Sequence, residues 1–163
     1  MPVTSDHPVR TCLWMEKDGV AAATFYTRLI PGSAIENTAG FQGGDVPALI
    51  VNFHLAGTPY MILNGGPHFT LSPAASISVL TDDQAETDRL WTALTADGGQ
   101  ESQCGWLIDR WGLSWQITPR AVIEMTFSDD AEAAERARQA MYKMNKLDIA
   151  TMRAAFDGKD QTG

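Results

Sequence analysis

The sequence predicts an α+β fold: two βαβββ modules, over residues 10–64 and 75–119, followed by C-terminal helices over 120–158. Three observations predict it. Strand-like alternation and helical spacing follow one another in the same order twice, strand, helix, then three strands. Glycine, proline and asparagine punctuate the changes of period. From residue 120 the composition turns alanine-rich, with Ala134, Ala137, Met141 and Met144 at helical spacing. The repeat is one of pattern, not of residues, and at 163 residues the modules and tail fit a single domain.

Each element has its own reason. VRTCLWM (9–15) is apolar and rich in strand formers, and GVAAATFYTRLI (19–30) is spaced as a helix that Pro31 and Gly32 stop. SAIEN (33–37) reads as a short strand before the glycine-rich loop TAGFQGGDVP (38–47). ALIVNFHLA (48–56) and PYMILN (59–64), joined by Gly57 and Thr58, read as a β-hairpin. The second round has SISVL (76–80) as strand and residues 81–99 as helix, capped by Asp82 or Asp83 and stopped by Gly98. QESQCGW, LID and LSWQITP follow as short strands. The tail holds a helix in DDAEAAERARQAMYKM and another in DIATMRAAF, capped by Asp148 and ended by Gly158.

The net charge of −8 and pI near 4.7 disfavour nucleic acid and anionic membranes as partners, since both are polyanions that call for a basic face. A small-molecule ligand is the better expectation. No window holds 18 consecutive apolar residues, so no membrane-spanning helix is expected. Cys12 and Cys104 are far apart, and the start MPVTSDHP lacks a basic region followed by an apolar stretch. Both thiols are expected to be reduced packing residues in a cytoplasmic protein.

Three separated segments, LNGGP (63–67), QCGWLIDRWGLSWQITP (103–119) and M-x-K-LDIATMRAAFDG (144–158), resemble the PhnB-like branch of the vicinal oxygen chelate superfamily. The resemblance runs from Thr11 to about Gly158. It implies the glyoxalase/bleomycin resistance fold, with βαβββ modules curved into a cup-like mixed sheet around a ligand cavity, and a homodimer. Members of this branch often carry the label demethylubiquinone methyltransferase. That label finds no support in the residues, because no glycine-rich turn joins the first strand to the first helix.

The resemblance also implies where a divalent metal would sit. Related enzymes carry D-P-x-G-x-x-x-E with a ligating glutamate on the last strand; here the matching segment runs from Asp109 to Gln116, and glutamine takes the ligand position. Counting back from Phe25 and Tyr26 puts the first-strand position on Thr11. Its counterpart in the second module falls on Ser76, with Ser78 on the same face, and the first module's last strand offers Tyr60, Ile62 and Asn64. The candidate cavity set is therefore Thr11, Leu13, Tyr60, Asn64, Ser76, Ser78, Trp106, Ser114 and Gln116. Threonine, tyrosine, asparagine, serine and glutamine are neutral donors, whereas transition metals favour imidazole, thiolate or carboxylate, so a tight site is disfavoured. Its metal candidates are Gln116 and His54; His7 and His68 fall in the polar start and a loop. His54 alternates with Asn52 away from Val51, Phe53 and Leu55, and points either into the cup or to solvent.

Other chemistry is thin. Cys104 has no base beside it in sequence and reads as a small packing residue. GFQGGD precedes a strand instead of opening a helix, so a rim loop is expected there, not a phosphate cradle. Asp109 and Arg110 could pair at the surface. Trp91 reads as core, while Trp14, Trp106 and Trp115 lie in strands, where some could line an aromatic pocket. On the last strand Leu113, Trp115 and Ile117 share one face and Ser114, Gln116 and Thr118 the other, which is read as the cavity wall. Two functions stand: a small-molecule-binding protein without a tight metal site, or a metal-dependent lyase, isomerase or dioxygenase-like enzyme.

Overall fold

The computed structural model describes residues 7–40 and 48–159; most of the glycine-rich loop, residues 41–47, lies outside them. The chain divides into two compact units, Met1–Leu71 and Ser72–Gly163.

The first unit holds β1 (Thr11–Met15), α1 (Gly19–Leu29), β2 (Ala34–Ala39), β3 (Ile50–Leu55) and β4 (Thr58–Asn64). They form one sheet in the order β1-β4-β3-β2, with β1 parallel to β4 and the other pairs antiparallel. Ala22, Ala23 and Tyr26 of α1 are buried with Leu13, Val51, Phe53 and Ile62, and the Tyr26 and Phe53 rings lie 6.4 Å apart. Asp18 precedes α1 in a left-handed conformation and its side chain caps nothing. Asn64 supplies the cap from β4: its Oδ1 accepts from the Gly19 amide at 2.9 Å and its Nδ2 donates to the Ala48 carbonyl. Gly19 is required by this approach, because a Cβ there would meet Ile62 and Asn64 at under 3 Å. The β3–β4 turn is Ala56-Gly57, one residue earlier than the spacing suggests, with φ of 45° and 85° and Leu55 paired to Thr58. β2 runs two residues further than expected and carries a bulge between Ile35 and Asn37.

The second unit repeats the order with β5 (Ser76–Thr81), α2 (Gln84–Thr95), β6 (Gln100–Glu101), β7 (Trp106–Ile108) and β8 (Ser114–Pro119), as a sheet in the order β5-β8-β7-β6. The strands therefore pair as two four-stranded mixed sheets, one in each unit. Asp83, not Asp82, caps α2, accepting from the Glu86 amide at 2.8 Å. The buried Thr81 and Thr87 hydroxyls join β5 to α2 at 2.7 Å. The core face of this sheet is Ile77, Leu107, Trp115 and Ile117, packed with Leu90, Trp91 and Leu94 of α2.

β8 then runs directly into α3 (Arg120–Thr126), followed by α4 (Ala131–Met141) and α5 (Ile149–Phe156). Local propensity does not predict α3, because Val122, Ile123 and Thr126 are β-branched; burial of Val122 and Met125 against Ala137, Leu147 and Met152 overrides that preference. Asp130 and Asp148 cap α4 and α5. The Thr151 hydroxyl and amide hold the Asp148 carboxyl below the ordinary aspartate range. Met144 lies in the turn after α4, beyond the helix to which its spacing assigns it.

Candidate functional site

The second sheet has an α2 face and an opposite, largely polar face. Alternation puts Ser76 and Ser78 of β5, Trp106 of β7, and Ser114 and Gln116 of β8 on the polar face. The register places Ser76 across from Ser114 and Ser114 across from Ile108; the next row is Ser78, Gln116 and Trp106. Five of the expected site residues thus share one surface. Gln116 Nε2 donates to Ser76 Oγ at 2.8 Å. Beside this pair lies a cavity of about 260 Å³, bounded by Pro73, Ser102, Gln103, Cys104, Trp106 and Ser114 among others.

Two loops shape it. In the β7–β8 loop Asp109 is only 3% exposed. Its Oδ1 accepts from the Trp111 and Leu113 amides at 2.9 and 3.1 Å, and its Oδ2 accepts from Trp115 Nε1 at 2.9 Å. Arg110 pairs with Asp97 at 2.6 Å and stacks over Trp111, while Asp109, expected at the surface beside it, is buried in the loop. Trp115 is fully buried and belongs to the core, not to a pocket wall. The run 100–106, expected as one strand, is broken: Gln100–Glu101 pair as β6, the chain then turns, and Trp106 begins β7; Cys104 and Gly105 both take positive φ, 59° and 82°. Their amides donate to the Met144 and Asn145 carbonyls at 2.8 Å each, and the Cys104 thiol donates to the Met141 carbonyl at 3.7 Å. No general base faces that thiol in these contacts, in keeping with a packing role.

The first sheet places its candidates differently. Thr11, Leu13, Tyr60 and Asn64 all lie on the α1 side. Leu13 is buried, Tyr60 stacks on Phe53 at 5.6 Å, and Asn64 caps α1. A one-residue shift along a strand exchanges its faces, so the count back from Phe25 and Tyr26 decides which side of the sheet Thr11 takes. Cys12, Trp14, Asn52, His54, Met61 and Leu63 carry the opposite face. There His54 Nδ1 lies 3.4 Å from Glu36 Oε1, and Glu36 also binds Arg10, whose guanidinium donates to the Phe53 and Tyr60 carbonyls. Burial pushes the Glu36 carboxyl up, but the bonds from Arg10 and His54 outweigh it and hold it below the usual glutamate range. Sequence reasoning misses Arg10 and Glu36: alternation from Cys12 points to Arg10, while Glu36 depends on the β2 bulge. Cys12 is exposed, but partial desolvation pushes its thiol up, disfavouring the nucleophilic thiolate. Trp14 donates to the Gly66 carbonyl at 2.9 Å and lies against Gly65, where a Cβ would strike its ring.

No group of three or more histidine, cysteine, aspartate or glutamate side chains among the described residues could hold a metal. The pair Ser76 and Gln116 does not fit a transition metal either, because neither donor carries charge and the amide nitrogen is turned onto the serine.

Comparison with known proteins places the chain. Residues 7–118 match the family model described as 3-demethylubiquinone-9 3-methyltransferase. The chain belongs to this family. Its fold is that of the PhnB-like branch of the vicinal oxygen chelate superfamily, the glyoxalase/bleomycin resistance fold. The PhnB protein from Bacillus cereus is 27% identical with a TM-score of 0.61, covering 69% of this chain and 99% of its own. A Pseudomonas aeruginosa protein is 20% identical, TM-score 0.57, over 70% of this chain and 98% of its own. The fosfomycin resistance protein FosX from Mesorhizobium loti shares the fold at 10% identity and a TM-score of 0.50, over 71% of this chain and 92% of its own. No curated protein matches the chain. The β1–α1 connection of this PhnB-like chain is Glu16-Lys17-Asp18, without the glycine-rich turn of an adenosylmethionine-binding sheet. Among the described residues no helix is long and apolar enough to cross a membrane.

Proposed function

We propose that this PhnB-like protein binds a small molecule on the polar face of its second sheet and does so without a tightly held divalent metal. The observation that carries the reading is the hydrogen bond from Gln116 to Ser76. At the position where the motif of related enzymes supplies a carboxylate, this chain has a neutral amide already used as a donor. A divalent cation there would lose hydration without a charged ligand to offset the loss. The free cysteines fit the proposed cytoplasmic location.

Metal analysis of protein purified without chelator is expected to find clearly substoichiometric zinc, nickel, manganese and iron, unchanged in Gln116→Ala. Near-stoichiometric metal that disappears in Gln116→Ala would defeat the reading and favour the enzyme alternative. The binding role itself is tested by thermal-shift screening against a neutral-metabolite library, in which a true ligand raises the midpoint in a concentration-dependent way.

We further propose a homodimer. The edge strands β1, β2, β5 and β6 each have one unpaired side within their sheets, and Phe127 and Tyr142 of the helical tail are exposed. Light scattering at micromolar concentration is expected to give twice the 17.7 kDa of one chain; a monomer mass sinks this proposal.

A further inference from the structure

The cavity beside Trp106 has features that the Gln116–Ser76 pair does not explain. Ser114 is 2% exposed, lines the cavity, and its hydroxyl makes no hydrogen bond among the described residues. The Trp106 indole N–H likewise has no partner among them. The Ser114 oxygen is not one of the buried polar atoms of the described residues, all of which have partners, so it opens onto the cavity, where a bound molecule can take the place of solvent as its partner. No lining residue carries a charge, so a charged ligand would be desolvated with nothing to balance it, in a chain of net charge −8. The Trp106 ring adds a flat apolar surface.

The wall opposite is fixed from outside the family core. The match ends at residue 118, yet the Cys104-Gly105 turn is held by the Met144 and Asn145 carbonyls, and the segment carrying them is clamped by Gln84, which donates to the Leu147 carbonyl at 3.1 Å and accepts from the Ile149 amide at 2.8 Å. The helical tail therefore prepays the ordering of a cavity wall.

We propose that this cavity is a binding site for an uncharged planar molecule with a carbonyl acceptor, which takes hydrogen bonds from Ser114 Oγ and Trp106 Nε1 and lies against the Trp106 ring. This rests on the binding role proposed above and names its ligand class. Three probes of similar shape test it: benzamide, benzoate and benzylammonium. The readout is the rate of N-ethylmaleimide addition to Cys104, resolved by peptide mass spectrometry, with exposed Cys12 as internal reference.

Benzamide is expected to slow addition at Cys104 and leave Cys12 unchanged. Benzoate and benzylammonium should need roughly tenfold higher concentration for the same protection. Ser114→Ala should weaken the benzamide effect by about three- to tenfold. Equal protection by benzoate or benzylammonium overturns the neutral class. Absence of benzamide protection overturns the site, whether or not the metabolite screen finds a ligand; a screen with no ligand at all overturns the binding role beneath it. The probe series runs on the unaltered chain, so it decides even where Ser114→Ala is unstable.

Discussion

Asp109→Ala is expected to destabilise the second unit by about 3–5 kcal/mol, the largest effect of any single substitution at the site. The Asp109 carboxylate is a buried hub: two loop amides and the Trp115 indole donate to it, and its own backbone exchanges bonds with Leu113 and Gly112. Alanine leaves three donors unsatisfied where water has little access. Asp109→Asn is the informative control. It keeps an acceptor for the two amides but turns an NH₂ group toward the Trp115 N–H, so a loss of about 2 kcal/mol is expected. Urea titration followed by tryptophan fluorescence reads both; an Asp109→Ala loss under about 1 kcal/mol would show that the carboxylate does not organise the loop.

The second large effect is expected at Gly105. Its φ of 82° is costly for any side chain, and a Cβ there would stand 2.8 Å from the Ile117 carbonyl and 2.9 Å from Leu147 Cδ1. Gly105→Ala should therefore cost about 2–4 kcal/mol, the sum of backbone strain and a clash with the backbone of a central strand. Gly112→Ala separates the two contributions: its φ is 86°, but nothing lies within 4 Å of where its methyl group would sit, so strain alone, about 1–2 kcal/mol, is expected. Equal losses at the two glycines in chemical denaturation would remove the clash from the explanation. Gly105→Ala should also speed maleimide addition at Cys104, since the turn can no longer seat against Met144 and Asn145.

Much of the architecture is legible in the sequence because it rests on local signals. Asp83, Asp130 and Asp148 cap their helices through their own side chains, and Gly158 takes the positive φ that ends α5; the stop expected at Gly98 falls late, because α2 ends at Thr95 before a turn over Ala96–Gly98. The shared face of Ser76, Ser78, Ser114 and Gln116 follows from period-two alternation within single strands. What depends on distant or irregular geometry is not legible. Thr11 is assigned by counting back across the β1–α1 connection and Tyr60 and Asn64 by alternation along β4, and neither signal shows which side of the sheet α1 covers. Glu36 reaches Arg10 and His54 only through a bulge. The roles of Asp109 and Trp115 depend on each other, and neither residue alone announces that its partner is six positions away. α3 has a poor local propensity and is made by the packing of Val122 and Met125 against residues from 137 onward.

The order of the strands has a consequence for how the polypeptide is made. In each sheet the strand synthesised last, β4 or β8, occupies an interior position and is the parallel partner of the strand synthesised first. A nascent chain that has emerged only as far as β3 or β7 has no neighbour for β1 or β5, so neither sheet can assemble progressively from its amino end. Each half must wait for its final strand and then close across the whole span between its first and last strands, a non-local and therefore slow step. The first half can complete while the second is still on the ribosome. Between the emergence of β5 and that of β8 both edges of β5 are bare, the condition under which unpaired strands aggregate.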